Sequence, residues 1–276
     1  MKSFQNYKKL VDKELKHIFN SLALEVKSGQ IPKELYNAIS YSVFNGGKRI
    51  RPVLCLASYS ACCRKTNNQQ LRTILPFACG LEFIHTFSLI QDDLPCMDND
   101  DYRRGKLSLH RKFNEAMALL AADALFAWAF ELFAKAPVGD RRKITAILEL
   151  LKICGANGLV SGQVLDIIEK KQETRSKKLE LKNELKTAAL IAGSVKIGAI
   201  VAGAPKNTIK KVEKAGTYLG LLFQTTDDML DTLGLDIKLK EQAQKYSAAA
   251  KKIFHNLGKN FDWFITFTEY ILERKQ

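Results

Sequence analysis

Apolar residues recur at every third or fourth position along most of this chain, and that period commits it to helices. In YKKLVDKELKHIFNSLALEV (7–26) the apolar positions include Leu10, Val11, Leu15, Ile18, Phe19 and Leu22, one stripe of a helix. Alternating runs, the mark of half-buried strands, are few. EAMALLAADALFAWAFELFA (115–134) is apolar nearly all round. Its length approaches a bilayer's thickness, but Asp123 and Glu131 interrupt it. The segment therefore predicts a helix buried in the middle of a bundle, and no membrane span. AALIAGSVKIGAIVAGA (188–204) is a second such segment, whose alanines and glycines permit close helix approach.

Turn-forming residues break the pattern at SGQIPKE (28–34), CRKTNNQQ (63–70), KAPVGDRR (135–142) and GAPKNT (203–208). None is long enough to be a domain linker. The expectation is one all-α domain over residues 1–276, with the 46% hydrophobic content needed for a substantial core.

Lys and Arg number 43 against 29 Asp and Glu, a net charge of +14. The lysines are spread, as in EKKQETRSKKLELKNELK (169–186), where Glu intermixes with them. Such a stretch reads as a solvated helical face, so no nucleic-acid partner is expected. The six cysteines are scattered, and no CxxC pair accompanies a suitably spaced histidine. Zinc is not expected, and a reduced interior fits. The opening MKSFQNYKKLVDKELKHIF has no apolar core of a secretory signal. Together these features predict a cytoplasmic protein.

Against the basic background stands QDDLPCMDNDDYRRG (91–105), with five aspartates in ten positions. Asp92 and Asp93 end the apolar run LEFIHTFSLI. Pro95 lacks the N–H that would bond the carbonyl of Gln91, so the helix stops or kinks there. That bend brings Asp98 back toward Asp92. Two carboxylates ~5 Å apart repel by about 3 kcal/mol at an effective dielectric of ~20. A divalent cation turns that cost into attraction, and Mg²⁺ favours one or two carboxylates plus waters and phosphate oxygens. Alone, the motif reads equally well as a solvated acidic loop.

A second cluster tips the balance. LLFQTTDDMLDTLG (221–234) holds Asp227, Asp228 and Asp231 among apolar Leu221, Leu222, Phe223, Met229 and Leu230. Asp227 and Asp231 share one helical face, with Gln224 one turn earlier. Two aspartate clusters on apolar helices point to a bridging cation. Cations of the chain's own accompany them. YSVFNGGKRIRPVL (41–54) sets Lys48, Arg49 and Arg51 after a glycine pair. The P-loop spacing is missing, yet such a loop converges on anions. Arg103 and Arg104 follow the first cluster, and Lys186 with Thr187 opens the 188–204 segment. His85 lies two turns before Asp92 on the same face; a lone histidine is usually structural or exposed, but beside these groups it also reads as a diphosphate ligand.

These residues resemble the trans-isoprenyl diphosphate synthases, and most of all the bacterial farnesyl diphosphate synthases. GGKRIRP, LEFIHTFSLIQDDLPCMDNDDYRRG, AADAL, SGQVLD, ELKTAAL and GLLFQTTDDMLD carry the likeness, which covers about four-fifths of the chain and is specific because both aspartate motifs accompany GGKRIRP. The resemblance implies a bundle of about ten or more helices around a central cavity. It implies that Gly47, Lys48, Arg51, His85 and Arg104 hold isopentenyl diphosphate. Arg103, Lys186, Thr187 and Gln224 are implied to face the allylic diphosphate and act in its departure. Asp92, Asp98 and Asp227, supported by Asp93 and Asp231, are implied to hold about three Mg²⁺ ions.

The implied reaction joins isopentenyl diphosphate to dimethylallyl or geranyl diphosphate by ionisation, condensation and proton loss, giving farnesyl diphosphate (C15). In this family an aromatic at the position of Phe87, beside small Ser88, goes with that product length. A C20 geranylgeranyl product is the alternative. A class I terpene cyclase, or a non-catalytic synthase subunit, fits less well, because GGKRIRP and both aspartate motifs are intact. A homodimer is likewise implied.

Three departures stand out. Gln91 replaces a common histidine, and Ala188 follows Lys186–Thr187 where glycine is usual. After Asp231 the family's glycine- and lysine-rich loop does not follow, and LDT runs into LGLDIKLKEQAQKYSAAAKKI, which looks like the helix beyond that loop. Either the loop is deleted, which leaves the allylic site short of lysines, or it is missing from the sequence as read.

Overall fold

Caps, glycines and prolines set the boundaries of the helices, and strand pairing contributes almost nothing. The computed structural model describes residues 2–63, 68–172, 188–231 and 236–274. Its helices are α1 (Lys2–Lys27), α2 (Lys33–Val43), α3 (Ile50–Cys62), α4 (Asn68–Asp92), α5 (Leu109–Lys112), α6 (Glu115–Lys135), α7 (Asp140–Cys154), α8 (Leu159–Gln172), α9 (Ala189–Ala202), α10 (Lys206–Asp231), α11 (Ile237–Leu257) and α12 (Asp262–Glu273). The fold is all-α; among the described residues strand pairing is confined to a two-residue antiparallel ribbon, β1 (Tyr102–Arg103) and β2 (Lys106–Leu107). Every turn cluster named above falls at a junction between helices. Asn114 caps α6 by accepting from Met117 N (2.7 Å), and Asp236 caps α11 by accepting from Lys238 N (2.9 Å).

The chain divides into two compact units, one of residues 2–53 and 75–137, the other of 54–74 and 138–276. In the first, α1 buries Val11, Leu15, Phe19 and Leu22 of its stripe. Phe19 meets Phe44 edge-on at 4.8 Å, and Phe77 meets Phe133 at 4.7 Å. Arg49 is buried in left-handed backbone (φ 54°). It pairs there with Glu82 (2.6 Å) and Asp12 (3.1 Å). Burial disfavours its charge, but Glu82 and Asp12 outweigh that and raise its pKa.

Helix α6 departs from expectation. Ala118, Ala121, Ala122, Leu125, Ala129 and Phe133 face inward, but Leu119 and Leu120 are 47% and 56% exposed. Among the described residues nothing covers the face that carries Leu119 and Leu120, and an all-round apolar pattern does not say how many faces are covered. By length and composition, residues 69–92, 115–135 and 140–168 are each apolar enough to cross a membrane. In the first of these most of the apolar window is already buried by protein.

In the second unit α9 is buried almost throughout. Its small residues set the packing distances. A Cβ on Gly198 would lie 2.3 Å from Cys55 O, and one on Gly220 of α10 would lie 2.5 Å from Ala188 Cα. Backbones can approach so closely only because no side chain intervenes. Lys196 of α9 ties Glu149 of α7 (2.6 Å) to Glu213 of α10 (2.8 Å). The helix expected beyond the absent loop is α11. The join itself, 232–235, lies outside the described residues.

Candidate functional site

The first aspartate motif begins where α4 ends. The Asp98 N–H donates to the Asp92 carbonyl at 2.9 Å, so the chain folds back after Pro95 and sets the two residues side by side. Asn99 takes a left-handed conformation (φ 55°) in that reversal. Asp93 points the other way. It is buried and receives Arg103 Nε at 2.8 Å and also Arg103 Nη2, which donates to Asp100 Oδ2 at 2.7 Å as well. Burial pushes the Asp93 carboxyl upward despite the Arg103 charge beside it. Arg103 itself is disfavoured by burial, but the bond and charge of Asp93, with Asp100, raise its pKa. The residue implied to meet the allylic diphosphate is therefore held by two carboxylates.

Arg104 follows in the turn of the ribbon that presents Arg103. Arg104 sits in left-handed backbone (φ 55°) and donates to the carbonyl of Gly46 (2.6 Å). Gly47 (φ 120°) leaves it room, because a Cβ there would lie 2.7 Å from Arg104 Nη1. Arg104 Nη2 lies 3.5 Å from His85 Nε2, and Arg51 Nη1 lies 3.2 Å from the same nitrogen. Burial first, then Arg51 and Arg104, with Arg49 and Arg103 behind them, hold His85 well below the ordinary imidazole value. It is neutral near pH 7, and burial lowers the Arg104 pKa too. Four of the five residues implied for isopentenyl diphosphate, namely Gly47, Arg51, His85 and Arg104, are thus brought together, and Lys48 is exposed on the adjoining loop. Sequence reasoning missed Asn45, which holds the ribbon by donating to Arg103 O (3.0 Å). A polar amide one step before a glycine pair was the available signal.

Ser88 donates its hydroxyl to the His85 carbonyl (2.9 Å). Phe87 is part-buried on α4 and packs on Phe126 of α6 at 5.1 Å, and Phe126 packs on Phe130 at 5.0 Å.

In the second unit, Asp227 and Asp228 lie in the last turn and a half of α10. Gln224 Nε2 donates to Asp228 Oδ1 (2.8 Å), one turn along. Asp227 accepts from Arg274 Nη2 (2.5 Å), a partner that no motif announced. Lys186, Thr187 and the Asp231 side chain lie outside the described residues.

Among the described residues, no three His, Cys, Asp or Glu side chains are arranged to hold a metal by themselves. The donors that the described part of the two motifs offers, Asp92, Asp98 and Asp227, are hard carboxylate oxygens. That set fits Mg²⁺, which keeps waters and takes phosphate oxygens alongside one or two carboxylates.

Comparison with known proteins now places the chain. The family model described as "Polyprenyl synthetase" matches residues 32–253, and the chain belongs to that family of prenyltransferases. A Legionella pneumophila structure titled geranyltransferase superposes with a TM-score of 0.82 at 30% identity, covering 99% of both chains. The apo structure of an FPP/GFPP synthase from Zymomonas mobilis gives 0.85 at 30% identity, covering 98% of this chain and 99% of that one. Among curated proteins, a chloroplastic geranylgeranyl pyrophosphate synthase of Catharanthus roseus is 43% identical over 229 residues, 82% of this chain and 63% of its own. A heterodimeric geranylgeranyl pyrophosphate synthase large subunit of Arabidopsis thaliana, also chloroplastic, is 43% identical over 227 residues, 80% of this chain and 60% of its own. The chain thus spans less than two thirds of these relatives' length.

The expected cytoplasmic location is corrected by these names, since several of the similar plant relatives are called chloroplastic. The N-terminal residues lack only the apolar core of a secretory signal, and cysteine usage does not distinguish one reducing compartment from another.

Proposed function

We propose that the chain is a prenyl diphosphate synthase that extends an allylic diphosphate with isopentenyl diphosphate, and that its main product is geranylgeranyl diphosphate (C20). The observation that carries the chemistry is the neutral His85 between Arg51 and Arg104. Two guanidinium groups converge on an uncharged imidazole, and a diphosphate placed there meets both of them with bidentate, charge-assisted bonds. Gly47 and Lys48 complete that site for isopentenyl diphosphate. Arg103, Gln224, Lys186 and Thr187 serve the allylic diphosphate.

Asp92, Asp98 and Asp227, with Asp231, would hold Mg²⁺, and Asp93 would support them by fixing Arg103. When bound, it supplies positive charge to a departing diphosphate. The chain's own part is positional. Arg51, His85 and Arg104 fix isopentenyl diphosphate so that its double bond attacks as the allylic carbon loses its diphosphate. Apolar residues around Phe87 exclude water from the carbocation. The new bond forms at that carbon, and the departed diphosphate takes up a proton from the resulting cation, which restores the alkene.

The C20 reading rests on relatives named geranylgeranyl pyrophosphate synthases. The C15 reading keeps one specific support, the aromatic Phe87 packed on Phe126. Incubation with isopentenyl diphosphate, Mg²⁺ and each of dimethylallyl, geranyl and farnesyl diphosphate, followed by mass analysis, decides between them. A C20 product with farnesyl diphosphate accepted as substrate supports the first reading. Accumulation of C15 with farnesyl diphosphate refused selects the second, and no isoprenoid product at all refutes both. We further propose that the active species is a homodimer, supported by the exposed Leu119 and Leu120 on α6.

A further inference from the structure

Arg274, the residue after α12, reaches back onto α10 beside the second aspartate motif. Its Nη2 donates to Phe223 O (3.0 Å), Thr226 Oγ1 (2.7 Å) and Asp227 Oδ1 (2.5 Å), and its Nε donates to Thr226 Oγ1 (3.2 Å). The guanidinium carbon lies 4.0 Å over the Phe223 ring. The Arg274 side chain is only 5% exposed, whereas that of Asp227 is 42% exposed. Hydrogen bonds to three acceptors and a ring face fix this cation, which no adventitious surface pair requires. It is built against the first carboxylate of the motif.

We propose that Arg274 is a resident counter-ion that weakens the hold of Asp227 on a bare divalent cation, so that metal binds there well only together with an anionic diphosphate. The inference rests on reading the second motif as a Mg²⁺ site. A guanidinium cannot shed its proton, and this one cannot swing aside without abandoning Phe223 and Thr226. A divalent cation arriving alone on Asp227 is therefore repelled at short range. An anion arriving with it reverses the balance, because the same guanidinium then attracts the anion. The motif would admit metal and diphosphate as a unit.

Binding of Mn²⁺, followed by the electron paramagnetic resonance of the free ion, tests this without turnover. The proteins are the full chain as wild type, Arg274→Gln, Arg274→Lys, Asp227→Asn and the Arg274→Gln/Asp227→Asn double variant, each with and without inorganic diphosphate. Arg274→Met, which keeps the stem over Phe223, replaces Arg274→Gln if the latter does not fold. Without diphosphate, Arg274→Gln should bind Mn²⁺ about tenfold more tightly, on the scale of a screened charge at close range. Arg274→Lys should stay near wild type, and the gain should vanish in the double variant. With diphosphate the advantage of Arg274→Gln should disappear or reverse. If Asp227→Asn weakens Mn²⁺ binding but Arg274→Gln does not tighten it, the counter-ion role is overturned and the metal site stands. If Asp227→Asn changes nothing in either background, the metal reading fails and takes the proposal with it.

Discussion

His85 shows how a single residue's surroundings become a measurable property. Its pKa is held below the ordinary 6.5 by burial and by Arg51 and Arg104. The unfolded chain therefore takes up a proton near pH 6.5 that the folded chain refuses. The folded state has its full advantage above that pH and loses it as the pH falls toward the depressed value, by about 1.4 kcal/mol per pH unit. Thermal denaturation between pH 7.5 and 5 should show wild type losing more stability on acidification than His85→Gln. Parallel curves would mean that the imidazole is not held neutral. Phe87 has a different test. Its ring packs on Phe126, and Phe87→Ala removes that aromatic layer, so the variant's products should be longer than those of wild type by mass spectrometry. An unchanged product length would move the chain-length stop to another residue. The aspartates, Arg51, His85 and Arg104 were legible in the sequence because they stand in short motifs whose chemistry is local. Arg274 was not legible, since it meets Asp227 across 47 residues and only the packing of α12 on α10 brings it there.

At the scale of helices, period and punctuation carried most of the reading. The stripe of α1 and the stop before Pro95 followed from residues within a few positions of one another, whereas α11 was expected from the family resemblance. The Tyr102–Leu107 ribbon did not, because two residues per strand are too few for any alternation to register. Nor did the open face of α6, since a uniformly apolar helix carries no phase. The α9 segment illustrates the reverse case, in which composition foretold close approach and the geometry gives its magnitude. Gly198→Ala would push a methyl against the Cys55 carbonyl, where the nearest atom is backbone and cannot rotate away. Overpacking of this kind costs about 2 kcal/mol, which urea denaturation should register as a lower midpoint with an unchanged slope. No loss of stability would show that α9 shifts freely against α3.

For the molecule as a whole, the charge of +14 and the exposed leucines of α6 make opposite demands, one for repulsion and one for association. A chain of 31.0 kDa that forms the proposed homodimer should sediment at twice that mass. Leu120→Lys should shift it toward monomer if α6 lies at the interface. Wild type sedimenting as a monomer would dispose of the dimer. The seam of small residues around α9 has a consequence of another kind, one of inheritance. Glycine is encoded by GGN, and every amino-acid change open to such a codon adds at least a Cβ. At Gly198 and Gly220 that first added carbon already collides with backbone, so no gentle first step exists through which these positions can drift. The codons beneath the seam are far less free to vary than those for the open face of α6, although neither belongs to the catalytic apparatus.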